Sequence, residues 1–202
     1  GPDRAAGSAA AAVRLAEDEA LAGRCPVMLV DLELPAGAIG ARLQLAGGPN
    51  VRVLLQDTGE AVSREEIGRV AQRFHFGLEV IPAPFAPSAL GHGQPDARRL
   101  SDTLDLLTAA GYLVVLHLGA RPDDLSAVAL SRSQVVYTVM GAEAGAEQRE
   151  TWLAALVAGG AARECITSLG EPTNGRNRTP ESVPTRARSR SAVRAPEPAL
   201  AH

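Results

Sequence analysis

Apolar and polar positions along this chain change period repeatedly. Residues 8–22, SAAAAVRLAEDEALA, are rich in alanine and are followed by Gly23, which predicts a helix with a glycine stop. VMLVDLEL (27–34) is a short apolar run without alternation, the pattern of a strand covered on both faces. A glycine-punctuated stretch follows to about Asn50. In VSREEIGRVAQRF (62–74), Ser63 followed three residues later by Glu66 predicts a helix opened by a capping box. GLEVIPAP (77–84) reads as a strand running into a proline-broken loop. DARRLSDTLDLLTAAG (96–111) sets Leu100, Leu104 and Leu107 on one helical face. YLVVLHLG (112–119) is the second strong buried strand. A helix over 122–133 with Pro122 in its first turn, a strand over 134–140, a helix over 146–160 and a strand over 164–169 complete the series.

Strands alternating with helices predict an α/β fold of three layers, a mostly parallel sheet with helices on both faces. No internal repeat is visible. From about Glu171 the sequence turns to Arg, Pro, Ser and Asn with almost nothing to bury, so 1–170 is expected to be one α/β domain and 171–202 a disordered tail. That tail carries six arginines against three glutamates, which leaves the rest of the chain at -6 within a net charge of -3. The total gives no global attraction to nucleic acid or anionic membrane. The tail also has no aromatics for base stacking and no apolar face for a bilayer, so no specific nucleic-acid partner is expected. With 46% hydrophobic but only 3% aromatic residues, the core must be built from Ala, Val, Leu and Ile.

All 20 basic residues are arginine, and lysine is absent. Cys25 and Cys165 lack metal-ligand spacing, which suits a reducing cytoplasm. No apolar run reaches the roughly 18 residues of a membrane span, and no secretory signal is visible. The chain starts abruptly, without an initiator Met, inside what reads as a loop over residues 1–8, and is expected to be a fragment or a processed form.

Candidate chemistry gathers at one sheet edge. Ligands of open α/β sheets bind beyond the carboxyl ends of the strands. If the two strong strands are parallel neighbours, Asp31 and Glu33 from one and His117 from the other approach the 1–8 loop. The structural alternative is equally open on spacing: strand-end acids often cap turns, and His117 could be a hydrogen-bonded core histidine. His75, His92 and His202 show no zinc spacing and are read as surface or loop residues, so no metal site is predicted. Trp152 is read as core or interface, Arg98 and Arg99 as solvated, and Asp123 and Asp124 as first-turn acids.

The order of segments resembles the MinD/ParA branch of P-loop ATPases, particularly the pilus-assembly and septum-site members labelled CpaE or TadZ. AAGSAAAAVRLA aligns with that family's GVGKTTLAVNLA, and VMLVDLELPAGAIGARLQL with the strand that follows. FHFGLEVIPAPFAP and GYLVVLHLGARPDDLSAVALSRSQVVYTVM resemble later segments. The match runs from residue 1 to about 169 and lacks the strand before the loop. On this alignment Gly7, Ser8, Ala9 and Ala10 hold the phosphate-loop positions, but the loop lysine is Ser8, the magnesium-binding hydroxyl is Ala9 and the second lysine is Asp3. Arg4 and Ala5 replace loop glycines, and His117 replaces the second-strand acid; Asp31 of the acidic pair stays and Glu33 is a close substitute.

The resemblance therefore implies vestigial catalytic positions at Asp31, Glu33 and His117, no resident cofactor, and ATP with magnesium held weakly or not at all. It implies a cytoplasmic pseudo-ATPase that positions a pilus or secretion machine or a division site through protein partners, with recruitment to the membrane or cell pole left to those partners. A homodimer across the loop face is compatible with it. The alternatives are a residual ATP-binding MinD-like ATPase, with an arginine such as Arg4 in place of the lysine, and an unrelated enzyme using His117 beside Asp31.

Overall fold

The structure, a computed structural model, describes residues 2–34, 37–85, 94–119, 123–140 and 144–169, with side chains from Gly7 onward. The Arg-rich tail, His92 and His202 lie outside the described residues.

The chain begins with a long helix α1 (Pro2–Ala22), then β1 (Val27–Asp31) and two short helices, α2 (Ile39–Arg42) and α3 (Val51–Leu55). α4 (Arg64–Val70), a two-residue strand β2 (Gln72–Arg73) and β3 (Leu78–Ile81) follow. The second half alternates α5 (Ala97–Ala109), β4 (Leu113–His117), α6 (Asp124–Arg132), β5 (Val136–Val139), α7 (Ala146–Ala158) and β6 (Ile166–Leu169).

The main sheet has the order β2-β3-β1-β4, with β3, β1 and β4 parallel and β2 antiparallel at the edge. β5 and β6 form a separate parallel pair. Every residue of β1 is buried because helices cover both of its faces. Its period-2 alternation divides the core. Met28 and Val30 enter a cluster with Val51, Leu54, Leu100 and Leu104 from α3 and α5. Val27 and Leu29 enter the opposite cluster, with Ala9, Val13, Ala16 and Ala20 of α1. The small residues of that α1 stripe let the helix lie close to the sheet, which decides what its neighbouring residue Ser8 can reach.

Local chemistry explains most boundaries. Ser63 and Glu66 form the predicted capping box, each side chain taking the other residue's backbone N–H. That helix ends at Val70 rather than running to 74, because Ala71 turns extended and Gln72–Arg73 pair with β3. Asn50 caps α3, Asp96 caps α5 and Asp123 caps α6, each accepting a backbone N–H two or three residues on. Asp123 is therefore a cap, and Asp124 sits in the first turn.

Two expectations are corrected. Over residues 2–8 the expected loop is a helix: it starts at Pro2, a residue suited to a first helical turn, and runs through Gly7 and Ser8. Arg99 is not solvated but 2% exposed, and its guanidinium donates to the Leu54 and Glu60 carbonyls, the Thr58 hydroxyl and Glu66. Its neighbour Arg98 is exposed, as read. Trp152 lies half-buried on α7, a helix with no fully buried residue.

Candidate functional site

The register of two parallel strands builds the site. β1 and β4 pair with Asp31 directly opposite His117, the last residue of each. Both share the strand parity of Val27, Leu29 and Val115, so both point to the face covered by α1. Ser8, one residue before the buried Ala9, projects from that helix onto them. The result is a hydrogen-bonded chain: Ser8 Oγ lies 3.0 Å from His117 Nε2, and His117 Nδ1 lies 2.9 Å from Asp31 Oδ1. His117 is 3% exposed and Asp31 fully buried.

Asp31 is held from every side. Its Oδ1 also accepts the Glu33 N–H at 3.1 Å, and Oδ2 accepts the Ile39 N–H at 3.3 Å, at the start of α2. Gly37 passes so close that a methyl group there would overlap the Asp31 carboxylate and the Ala83 side chain. Only a residue without a Cβ lets the loop close over the acid in this way.

Glu33 sits two residues beyond β1, because the strand stops at Asp31 rather than running to residue 34. Its side chain backs onto Gly119, just after β4. Its Oε2 is shielded from solvent and has no hydrogen-bond partner among the described residues. Burial pushes the Glu33 carboxyl above the usual carboxylate range; the nearby His117 and an Ala38 N–H pull it down, and the Asp31 charge pushes it further up.

The structure thus brings together Asp31, Glu33, His117 and Ser8. The remaining phosphate-loop positions do not form a loop. Gly7, Ala9 and Ala10 lie inside α1, where backbone N–H groups beyond the first turn are committed to carbonyls four residues back. They offer no nest of free amides; the free amides of this helix are those of its first turn, at residues 3–5. Gly7 faces β5 instead, where an added Cβ would stand 3.9 Å from the Val139 side chain. Ala9 is buried against the sheet.

Ser8 was expected only as a replaced lysine, and its bond to His117 is what sequence spacing could not show. The signal was the helical offset from the Ala9–Val13–Ala16–Ala20 stripe, which fixes the side of α1 that faces the strand ends. His75 is exposed, as read, and lines a separate cleft of about 600 Å³ on α1 with Arg14, Glu17, Arg42, Gln44 and Phe74. That cleft contains none of the clustered acids.

No protein-family model matches the chain, and no curated protein matches it either. Among solved structures the chain is similar to a ParA family ATPase from Chlorobium tepidum TLS, with 17% identity and a TM-score of 0.63 over 82% of this chain and 68% of that one. It is also similar to cobyrinic acid a,c-diamide synthase from Mycobacterium smegmatis, a structure with a bound ATP analog and magnesium, at 16% identity and a TM-score of 0.48 over 82% of this chain and 66% of that one. At such identities the first likeness establishes a fold: the chain has the α/β architecture of ParA-type ATPases. No helix among the described residues is long and apolar enough to cross a membrane.

Proposed function

We propose that this chain is a ParA-like protein that does not hydrolyse ATP and acts by binding protein partners, in positioning or assembling a pilus or secretion machine or a division site. One observation carries the first half of this reading. Where a phosphate-binding loop would present a lysine and a row of free amides, the chain presents a continuous helix whose Ser8 is tied to His117 and, through it, to Asp31. A triphosphate brought there would meet two carboxylates and no lysine. The CpaE-like role in positioning rests on the sequence resemblance, and a scaffold that has lost its nucleotide grip retains protein contact as its means of action. Partners recognised through the α/β surface fit this reading, as does a homodimer held without a nucleotide bridge.

The test is the melting temperature of the full chain with and without millimolar ATP and magnesium. A ligand that binds only the folded state must stabilise it, by about 2.7 kcal/mol at a hundred times its Kd. An unchanged midpoint is expected; a clear rise supports the residual ATPase instead.

A second reading has its own observation. Ser8, His117 and Asp31 stand in the order nucleophile, base and orienting acid, at hydrogen-bond distances on both sides of the imidazole. This is the form that the unrelated-enzyme alternative takes. Against it, Ser8 lies within a helix whose next amides are committed, so paired donors for an oxyanion are absent from its immediate backbone. Covalent labelling of the chain by a fluorophosphonate, lost in Ser8→Ala, would favour it.

A further inference from the structure

Two carboxylates and an imidazole share a corner into which no arginine ion pair reaches among the described residues. We propose that Asp31, Glu33 and His117 form a binding site for a divalent transition-metal ion, with zinc the best match. Their ligand atoms all lie within 4.8 Å of one another.

Charge is the first support. The Asp31 carboxylate accepts two backbone N–H groups as well as the imidazole, while Glu33 Oε2 beside it is shielded and unsatisfied among the described residues. A shielded oxygen without a donor is costly, and a proton, a water or a cation completes it; only the cation also offsets the charge of the second carboxylate. Neither acid can satisfy the other, since both are acceptors when ionised.

The donor set then selects the ion. Magnesium and calcium are hard cations served by oxygen, whereas one imidazole nitrogen with two carboxylates is a set that zinc accepts. Three protein ligands leave a fourth tetrahedral position for water or another donor. This differs from the magnesium of a phosphate loop, which needs a hydroxyl and the phosphates themselves.

The surroundings of the ligands are already arranged for such an ion. With its proton on Nε2, His117 donates to Ser8 Oγ and presents the Nδ1 lone pair toward the acids, the outer-shell hydrogen bond that metal-bound histidines use to fix their tautomer. Asp31 is oriented by the Ile39 and Glu33 N–H groups. Nδ1 and Asp31 Oδ1 are 2.9 Å apart. Zinc bonds near 2.1 Å with a tetrahedral angle call for about 3.4 Å, so roughly half an ångström of opening suffices. Because it concerns a cation rather than a nucleotide, the site stands or falls separately from the ATP reading.

The experiment is calorimetric titration of zinc chloride into the chelator-stripped full chain, with cobalt absorbance as a second readout. The variants are Glu33→Gln, which keeps the side-chain shape, and His75→Ala. One zinc per chain is expected, together with a raised melting temperature and a visible cobalt band. Glu33→Gln should weaken binding at least tenfold and lose the band, while His75→Ala leaves both unchanged. A wild-type chain that binds no zinc would overturn the proposal. So would a Glu33→Gln chain that is folded by circular dichroism and keeps wild-type affinity, since the ion would then belong to other residues.

Discussion

Two buried charge clusters lie on opposite faces of the same sheet, and they are solved in opposite ways. On the α3–α5 face, the Arg99 guanidinium is 2% exposed and all its bonds end on acceptors: two carbonyls, one hydroxyl and Glu66 at 3.1 Å. Glu66 in turn serves the capping box, and the Ser63 backbone N–H, helped by the Ser63 hydroxyl and Arg99, holds its carboxyl below the usual range. On the α1 face, Asp31 and Glu33 have only His117 between them and no cation in an ion pair among the described residues. The first cluster is closed and ties helices together. The second has unused acceptor capacity at the edge where α/β folds place ligands, and its sign suits a cation rather than a phosphate.

Removing the closed cluster should cost most. Arg99→Met leaves the buried Leu54 carbonyl and the Glu60 carbonyl without their donor and Glu66 without its partner, and should lower unfolding free energy in urea by about 3 kcal/mol. A loss under 1 kcal/mol would mean that the guanidinium bonds contribute little, and the contrast between the clusters would collapse. Asp31→Asn is expected to cost less, about 1–2 kcal/mol. An amide has one accepting oxygen where the carboxylate has two, yet its loss of charge relieves the repulsion that Asp31 exerts on Glu33.

Glu33→Gln should act in the opposite direction. The folded-state pKa of Glu33 is raised above 4.5, so between that value and the raised one the folded chain holds a proton that the unfolded chain has released. Stability from this group is therefore full below pH 4.5 and lost as pH rises through the raised value. In metal-free protein the variant should melt slightly higher than wild type at pH 8 and match it near pH 4. A lower melting temperature at pH 8 would show that ionised Glu33 is already compensated. Arg98→Ala is the control: exposed beside the buried Arg99, it should change stability by less than about 0.5 kcal/mol.

Much of this arrangement was legible from the sequence. The apolar runs of β1 and β4, the Leu100–Leu104–Leu107 face of α5 and the Ser63–Glu66 box all follow local rules, and each appears where those rules place it. The convergence of Asp31, Glu33 and His117 required one further assumption, that β1 and β4 are parallel neighbours, and they are. The start of α1 was missed because resemblance to a phosphate loop outweighed the helix propensity of PDRAAGSAAAA, in which Pro2 and the alanines already favour a helix. Arg99 was missed because solvated and buried arginines look alike in sequence; the acceptors that bury it come from residues 54–66, more than thirty positions away. The short helix at Ile39–Arg42 lies inside the glycine-punctuated stretch and that at Val51–Leu55 just after it, each too brief to show a helical period, and the first supplies an N–H to Asp31.

What can occupy the corner beneath α1 separates a nucleotide site from a closed one. The most direct measurement is a crystal structure of the full chain grown with millimolar ATP and magnesium. It should show α1 helical from Pro2, the Ser8–His117–Asp31 chain intact, and no phosphate within bonding distance of residues 3–10. An ordered triphosphate cradled by those residues, with α1 unwound to release its amides, would contradict the account.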